Sequence, residues 1–444
     1  MTTLNVVESP SGFVAHIGLD WAERKHFWSM RTADGKRTRG HLDHTPEAIE
    51  VWAVELAQRF PGQAIALALE QSRGSLVGIL SKYAHLHLFP LHPNNLANYR
   101  KSVCPSGAKG DPSDADLILD FLVKHPERLR ALEPDTVETR TLQFLVEERR
   151  RLVDQHTREL QLLTHWLKLV FPQMLQWFDD VSTPLVAALL QRWPGLPQLK
   201  RATAKTLRTF FQQHNCRSTE RIQQRIDEIA QAVPATTDAA LLKIGHLRIP
   251  ISLRALALLR DAIAGFDLEI QAVYESHPDR FIAESLPGAG PALEPRLIAA
   301  LGSKRERFDS ACNMASCFGI APVTQSSGNS RSVQWRWACS TFLRQTFHEW
   351  AGCSIRSCAW AREHYDRQRH KGNRHHAAIR SVAYKWLRIL FRCWKDRVAY
   401  SEQRYLAALA KASGAVVPAI AAAVAPPVEW KSCGGFSTLI EVSS

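Results

Sequence analysis

The chain has 444 residues and a mass of 50.0 kDa, with 45% hydrophobic and 22% charged residues; it is long enough to bury two or three cores and is no disordered tail protein. Lys and Arg outnumber Asp and Glu by 56 to 43, and the pI near 9.5 points to a polyanionic partner. No apolar run approaches the roughly 18 residues of a membrane span, and the opening MTTLNVVESPSGF has neither the basic nor the apolar region of a secretory leader, so a cytoplasmic protein is expected.

The first ~130 residues alternate between periods. FVAHIGLD is an apolar run ending on Asp20, KHFWSMR follows it, and the Asp34-Gly35 turn leads into a third strand. Thr45 with Pro46 at the first helical position opens a helix to about Phe60. AIALALE reads as a short buried strand ending on Glu70, SLVGILSKYA as a helix, LHLFP as a strand and DPSDADLILDFLVKH as a helix. The order βββαβαβα is that of an RNase H-like domain, so the fold class is α/β here, followed by all-α.

From Val137 a charged helix of more than 30 residues is predicted, ending at Phe171-Pro172, with the apolar spacing of a helical hairpin or coiled-coil arm. Residues 172–245 read as helices punctuated by Pro184, Pro194, Pro197 and Pro234. A second long helix from about Ile251 could return antiparallel to the first, ending near His277-Pro278. The segments are therefore 1–132, 133–278, a helical 279–411, and an Ala/Pro/Gly-rich tail 412–444 expected to lack order.

Charge is concentrated: residues 331–400 hold 15 Lys/Arg against 4 Asp/Glu, +11 of the formal +13. Six of the 13 Trp lie there too (Trp335, Trp337, Trp350, Trp360, Trp386, Trp394). Arginine grips phosphate and aromatic rings stack bases, whereas about half of the aromatics, on the Tyr384, Trp386, Leu390, Phe391, Trp394 spacing, belong to a helical core. The nine Cys form no CxxC pair, and reduced, mostly buried thiols are expected rather than a zinc site.

Asp20 and Glu70 sit at the ends of buried strands, a poor place for a charge without a cation. Asp111 and Asp114, three residues apart at a helix start, share a face and could complete a four-carboxylate Mg²⁺ site. The local alternative is capping, with Asp111 as N-cap, Pro112 at N1 and Asp114 at N3. Further on, the SLPGAGP turn places Gly288 and Gly290 before a helix, where backbone N–H groups could meet a phosphate; a plain turn reads equally well. FDSACNMASCFGIAP then forms a small apolar helix leading into Gln325-Ser326-Ser327-Gly328-Asn329-Ser330, a flexible polar loop in which a serine could attack a phosphate held by Arg331, Arg336 and Arg344. No general base is visible within that loop.

Together these blocks resemble the DEDD transposase family of the Piv/MooV type, the IS-one-ten group of insertion sequences. The resemblance rests on HIGLDWA with Asp20, ALALEQSRG with Glu70, KGDPSDA with Asp111 and Asp114, LPGAGP, and FGIAPVTQSSG, across residues ~14 to 400. It implies a RuvC-like domain binding Mg²⁺ through the four acids, and a transposase domain whose serine directly before Gly attacks DNA. That serine is Ser327, with Ser326 the competitor. It also implies a covalent phosphoserine intermediate, a noncoding bridge RNA that selects donor and target DNA, and dimers pairing into a tetramer with the acids of one subunit beside the serine of another. Pro112-Ser113 departs from the usual polar pair between the last two acids. A RuvC-like nuclease or resolvase with an inert serine, and a non-catalytic nucleic-acid-binding scaffold, are the competing readings.

Overall fold

A computed structural model describes residues 12–71, 73–103, 111–328 and 330–413; of the tail expected at 412–444, residues 412 and 413 end a helix and the rest lies outside the described residues. The chain divides into two compact units, residues 1–134 and 135–444.

The first unit is built on five strands: β1 Ala15–Asp20, β2 Lys25–Thr32, β3 Arg37–Asp43, β4 Ile65–Leu69 and β5 Leu86–Pro90. Their order is β3-β2-β1-β4-β5, with β1 antiparallel to β2 and parallel to β4. This mixed sheet is consistent with the RNase H-like expectation. Helices α1 Pro46–Arg59 and α2 Ser75–Leu80 precede β4 and β5; α3 Pro93–Val103 and α4 Asp111–Lys124 follow. α1 starts as predicted, with the Thr45 hydroxyl accepting from the Ala48 N–H. α3 is not foreseen in the sequence: its polar stretch PNNLANYRKSV buries only Leu96, and Pro93 reads as a turn residue until it is seen at a helix start. α2 is also shorter than expected, stopping at Leu80.

Strand alternation divides the sheet's two faces. Ala15, Ile17, Leu19, Ile65, Leu67 and Leu69 pack with Ile49, Trp52 and Leu56 of α1. Ala66 and Ala68 face Leu117, Ile118, Phe121 and Leu122 of α4. Gly18 lies on that second face, and a Cβ there would sit 2.3 Å from both the Ala115 carbonyl oxygen and the Leu119 nitrogen. Only a glycine lets the α4 backbone lie on β1 this closely.

The second unit is mostly helical. α5 Val137–Val170 ends as predicted before Pro172, and α6 Gln173–Trp177, α7 Pro184–Arg192, α8 Leu196–Lys200, α9 Ala204–Gln213 and α10 Thr219–Gln231 follow. α11 Ala239–Glu275 is the second long helix, and it starts a dozen residues earlier than its apolar period suggested because it runs through Pro250. It is antiparallel to α5: Gly245 meets Val170, Arg248 pairs with Glu159 at 2.7 Å, and Arg149 pairs with Asp267. α12 Arg280–Glu284, α13 Gly290–Leu301, α14 Ala311–Cys317, the hairpin strands β6 Val323–Ser327 and β7 Ser330–Gln334, and α15 Thr341–Ser357, α16 Ala359–His370, α17 His375–Asp396 and α18 Glu402–Ser413 complete the chain.

A core of Phe318, Phe347, Trp350, Trp360, Trp386, Leu390 and Trp394 joins α14 to α17. Four of the six tryptophans in the basic segment are thus core residues, more than the half expected, and only Trp335 and Trp337 remain for other work. The thiols differ from expectation as well: of the seven described cysteines, all free, Cys358 and Cys393 are buried while Cys312 and Cys317 are exposed.

Candidate active site: carboxylate strand ends and a serine hairpin

The alternation that puts Gly18 beneath α4 puts Asp20, two residues on, on the same face. The β1–β4 register runs from Ala15 opposite Ile65 to Leu19 opposite Leu69, so Asp20 and Glu70 leave adjacent parallel strands side by side, Glu70 continuing the face of Ala66 and Ala68. Both are half-buried. α4, seated on β1 at Ala115 and Leu119, brings its first turn to this face, with Asp111 opening the helix and Asp114 following. Asp114 is held by Arg100 of α3 at 2.7 Å, both side chains being largely buried. The Arg100 Nε is buried without a partner. The Asp111 side chain lies outside the described residues, and among the described residues no three His, Cys, Asp or Glu groups converge closely enough to hold an ion. Asp20 and Glu70 are thus brought together, while Asp114 has a guanidinium for its counter-charge.

The loops leaving these two strands are tied by a feature the sequence did not signal. The Ala22 N–H donates to His26 Nδ1 at 3.1 Å, His26 Nε2 lies 2.8 Å from His44 Nδ1, and His44 Nε2 lies 3.2 Å from the Ser75 hydroxyl. Because Nδ1 of His26 accepts, its single proton is on Nε2, and the chain runs in one direction to Ser75. His26 is fully buried, and burial first, then His44, lowers its pKa to about 4. Four isolated residues at 22, 26, 44 and 75 have no shared period, so only the folded sheet edge reveals them.

Ser326 and Ser327 lie not in a flexible loop, as expected, but in β6 of an exposed two-stranded hairpin. Ser326 pairs with Arg331 and Ser327 with Ser330. Gly328, at φ 54°, makes the turn directly after Ser327. Among the described residues neither serine hydroxyl has a hydrogen-bond partner. The Arg331 side chain lies outside the described residues. Arg336 and Arg344 build the foot of the hairpin: Arg336 Nε donates to the Ala321 carbonyl at 3.2 Å, and Arg344 Nη1 donates to the Arg336 carbonyl at 3.0 Å. Gly288 packs on the Cys353–Ser354 backbone of α15, where a Cβ would meet Ser354 N at 2.8 Å, whereas the space beside Gly290 is open.

Residues 17–172 match a DEDD transposase family model of the IS110 group, and residues 282–366 match the transposase model of the IS116/IS110/IS902 family. The chain belongs to the IS110 family of DEDD transposases. Such enzymes cut and rejoin DNA. A mini-circle transposase described for IS117 of Streptomyces coelicolor is 27% identical over 417 residues, covering 89% of this chain and 97% of that protein. A 43.6 kDa protein of insertion element IS110 from the same organism is 25% identical, covering 87% of this chain and 95% of its own. A 42 kDa protein of IS900 from Mycobacterium paratuberculosis is 26% identical over 66% of this chain. The first matched segment spans Asp20, Glu70, Asp111 and Asp114; the second spans Gly288 and the serine hairpin. Among the described residues no helix is long and apolar enough to cross a membrane.

Proposed function

We propose that this IS110-family transposase is an RNA-guided, site-specific recombinase that joins itself covalently to DNA through Ser327. The reading is carried by the position of Ser327: the last residue of an exposed strand, directly before the turn glycine, in a hairpin rooted in arginines. There the hydroxyl can enter a DNA backbone without desolvating a buried surface. As Ser327 Oγ bonds to phosphorus, one P–O bond of the DNA strand breaks, the leaving oxygen takes up a proton, and the serine proton passes to solvent. One phosphodiester is exchanged for another, so no external energy source is needed.

Asp20, Glu70, Asp111 and Asp114 are proposed to hold Mg²⁺. Their donor chemistry fits, since carboxylates are hard oxygen ligands and Asp20 and Glu70 leave adjacent strand ends on the face where α4 begins. When bound, the cation supplies charge stabilisation to the phosphodiester oxygens. The chain's own contribution is to seat α4 through Gly18 and to restrain the strand exits through Ala22, His26, His44 and Ser75. In this reading 1–132 is the RuvC-like metal-binding domain, 133–278 the coiled-coil arm and 279–411 the DNA-joining domain. The arm exposes Ile244, Leu247, Ile251 and Leu258 of α11, three, four and seven residues apart, which is the seam of a coiled coil and supports a homodimer that pairs into a tetramer. The concentrated positive charge supports binding of both DNA and a bridge RNA.

The test is a denaturing-gel trap of protein–DNA adducts on DNA spanning the element junction, with co-purified RNA present. Adduct is expected with the wild type and with Ser326→Ala, and is expected to vanish with Ser327→Ala. Cleavage without any adduct in all three would instead establish a nuclease or resolvase.

A further inference from the structure

At the foot of the serine hairpin, α15 and α17 each present a cation and an imidazole one helical turn apart: Arg344 and His348 on α15, His376 and Arg380 on α17. The rings of His348 and His376 lie 5.3 Å apart. The guanidinium carbons of Arg380 and Arg344 lie 4.1 and 4.8 Å from the ring centroid of Trp335, the residue following β7. Among the described residues neither guanidinium has a carboxylate partner. Three of the four acids of the 331–400 segment are taken elsewhere, Glu349 by Arg296, Glu363 by Arg367 and Asp396 by Arg392, and the fourth, Asp366, pairs with neither Arg344 nor Arg380 among the described residues. Arg380 Nε is buried and has no acceptor among the described residues.

Two like charges gathered at one aromatic ring, one with an unused buried donor, are a costly arrangement for a fold to keep unless an anion completes it. The crowding is felt by its members: burial, then the neighbouring Arg344, lowers the pKa of Arg380, and burial with the nearby imidazole and cations brings His348 to about 4. His348 is therefore neutral at physiological pH and leaves the positive charge to the arginines. Trp337, 80% exposed and 6.4 Å from Trp335 ring to ring, extends the surface toward solvent.

We propose that Trp335, Arg344 and Arg380 form a clamp for one phosphodiester group of duplex DNA beside the serine hairpin. The proposal deepens the recombinase reading and rests on it for the identity of the strand. Trp335 is five residues on from Ser330, the cross-strand partner of Ser327, so the two backbones are separated by at most about 17 Å along the chain and about 5 Å across the pair, a span of several nucleotides. Arg380 offers its unused Nε–H to the phosphate, and Arg344, whose Nη1 is committed to the Arg336 carbonyl, adds positive charge beside the same ring. Arg380 is a positioning residue here, holding DNA rather than reacting with it.

The experiment measures binding of the full chain to a short random-sequence duplex across a salt series. Arg380→Gln is expected to weaken binding about tenfold and to lower the log–log salt slope by about 0.9, the loss of one phosphate contact. The control is Arg392→Gln, which removes the same charge from the same helix at an exposed position paired with Asp396 and is expected to change the slope little. Equal losses in both variants, no loss in either, or a loss confined to single-stranded RNA would overturn the clamp. If Arg380→Gln does not fold, Arg380→Lys decides: it keeps the charge but loses the planar fork, and undiminished affinity overturns the proposal. Because binding is read without chemistry, absence of any adduct from the wild type would remove the recombinase reading while leaving this result distinct.

Discussion

The acids and the serine are held in opposite ways. Asp20 and Glu70 extend from strands whose preceding residues are buried on both faces, so the packing of Ile17, Leu19, Leu67 and Leu69 sets their position before any local preference acts. Ser327 stands on a five-residue strand with four exposed residues, paired to one other strand and anchored mainly where Arg336, Cys339 and Arg344 meet. An isolated two-stranded hairpin is marginal on its own. A metal-binding group benefits from rigid placement, whereas a nucleophile that must enter a DNA backbone benefits from reach.

The largest effect that could break this comparison is Ser327→Ala, expected to reduce strand joining by a factor on the order of 10⁴ or more while leaving the melting temperature unchanged. A rate assay beside a thermal melt checks it, and residual joining by Ser327→Ala would assign the chemistry to Ser326 or to another group. The converse is Gly18→Ala, where the new Cβ meets the α4 backbone at 2.3 Å and the helix must move. It is expected to destabilise the first unit by roughly 3 kcal/mol and to abolish activity while leaving the serine hairpin's own sequence intact; urea melts of the full chain would show the first unit unfolding early.

Acid sharpens the same contrast. With a folded pKa of about 4 against the usual 6.5, neutral His26 contributes stability that is complete above about pH 6.5 and is lost as the pH falls toward 4, because the unfolded chain takes up the proton first. The loss is expected to be roughly 2 kcal/mol, concentrated in amides near Ala22 and Ser75; hydrogen exchange at the two pH values would reveal it, and uniform protection would refute the link. The smallest effect belongs to the hairpin: Gly328→Ala forces a left-handed residue with nothing nearby to clash, costing about 1 kcal/mol. Faster exchange is expected only in β6 and β7, and a drop in the global melting temperature would mean that the hairpin is part of the core after all.

Much of the carboxylate side was legible in the chain. Apolar runs that stop on an acid, as at Asp20 and Glu70, announce buried strands because their neighbours can be satisfied only inside a sheet. The hairpin was not legible, since Thr324 to Ser327 has no alternation of apolar and polar residues; its strands are stabilised by pairing and by the anchoring at their foot. α3 and the first part of α11 escaped for a related reason: both contain or follow prolines, and tertiary packing overrides the local break.

The sequence by itself determined the mixed sheet, the two long helices, the concentration of positive charge and the family to which those motifs belong, because these depend on periodicity and on residue types recurring within short windows. Only the tertiary structure decided which tryptophans are core, that Gly18 seats α4 on β1, that Ala22, His26, His44 and Ser75 form one hydrogen-bonded chain, and that Arg344 and Arg380 meet on Trp335. Each of those depends on residues distant in the chain, and their meeting is set by the packing of whole elements rather than by any local preference.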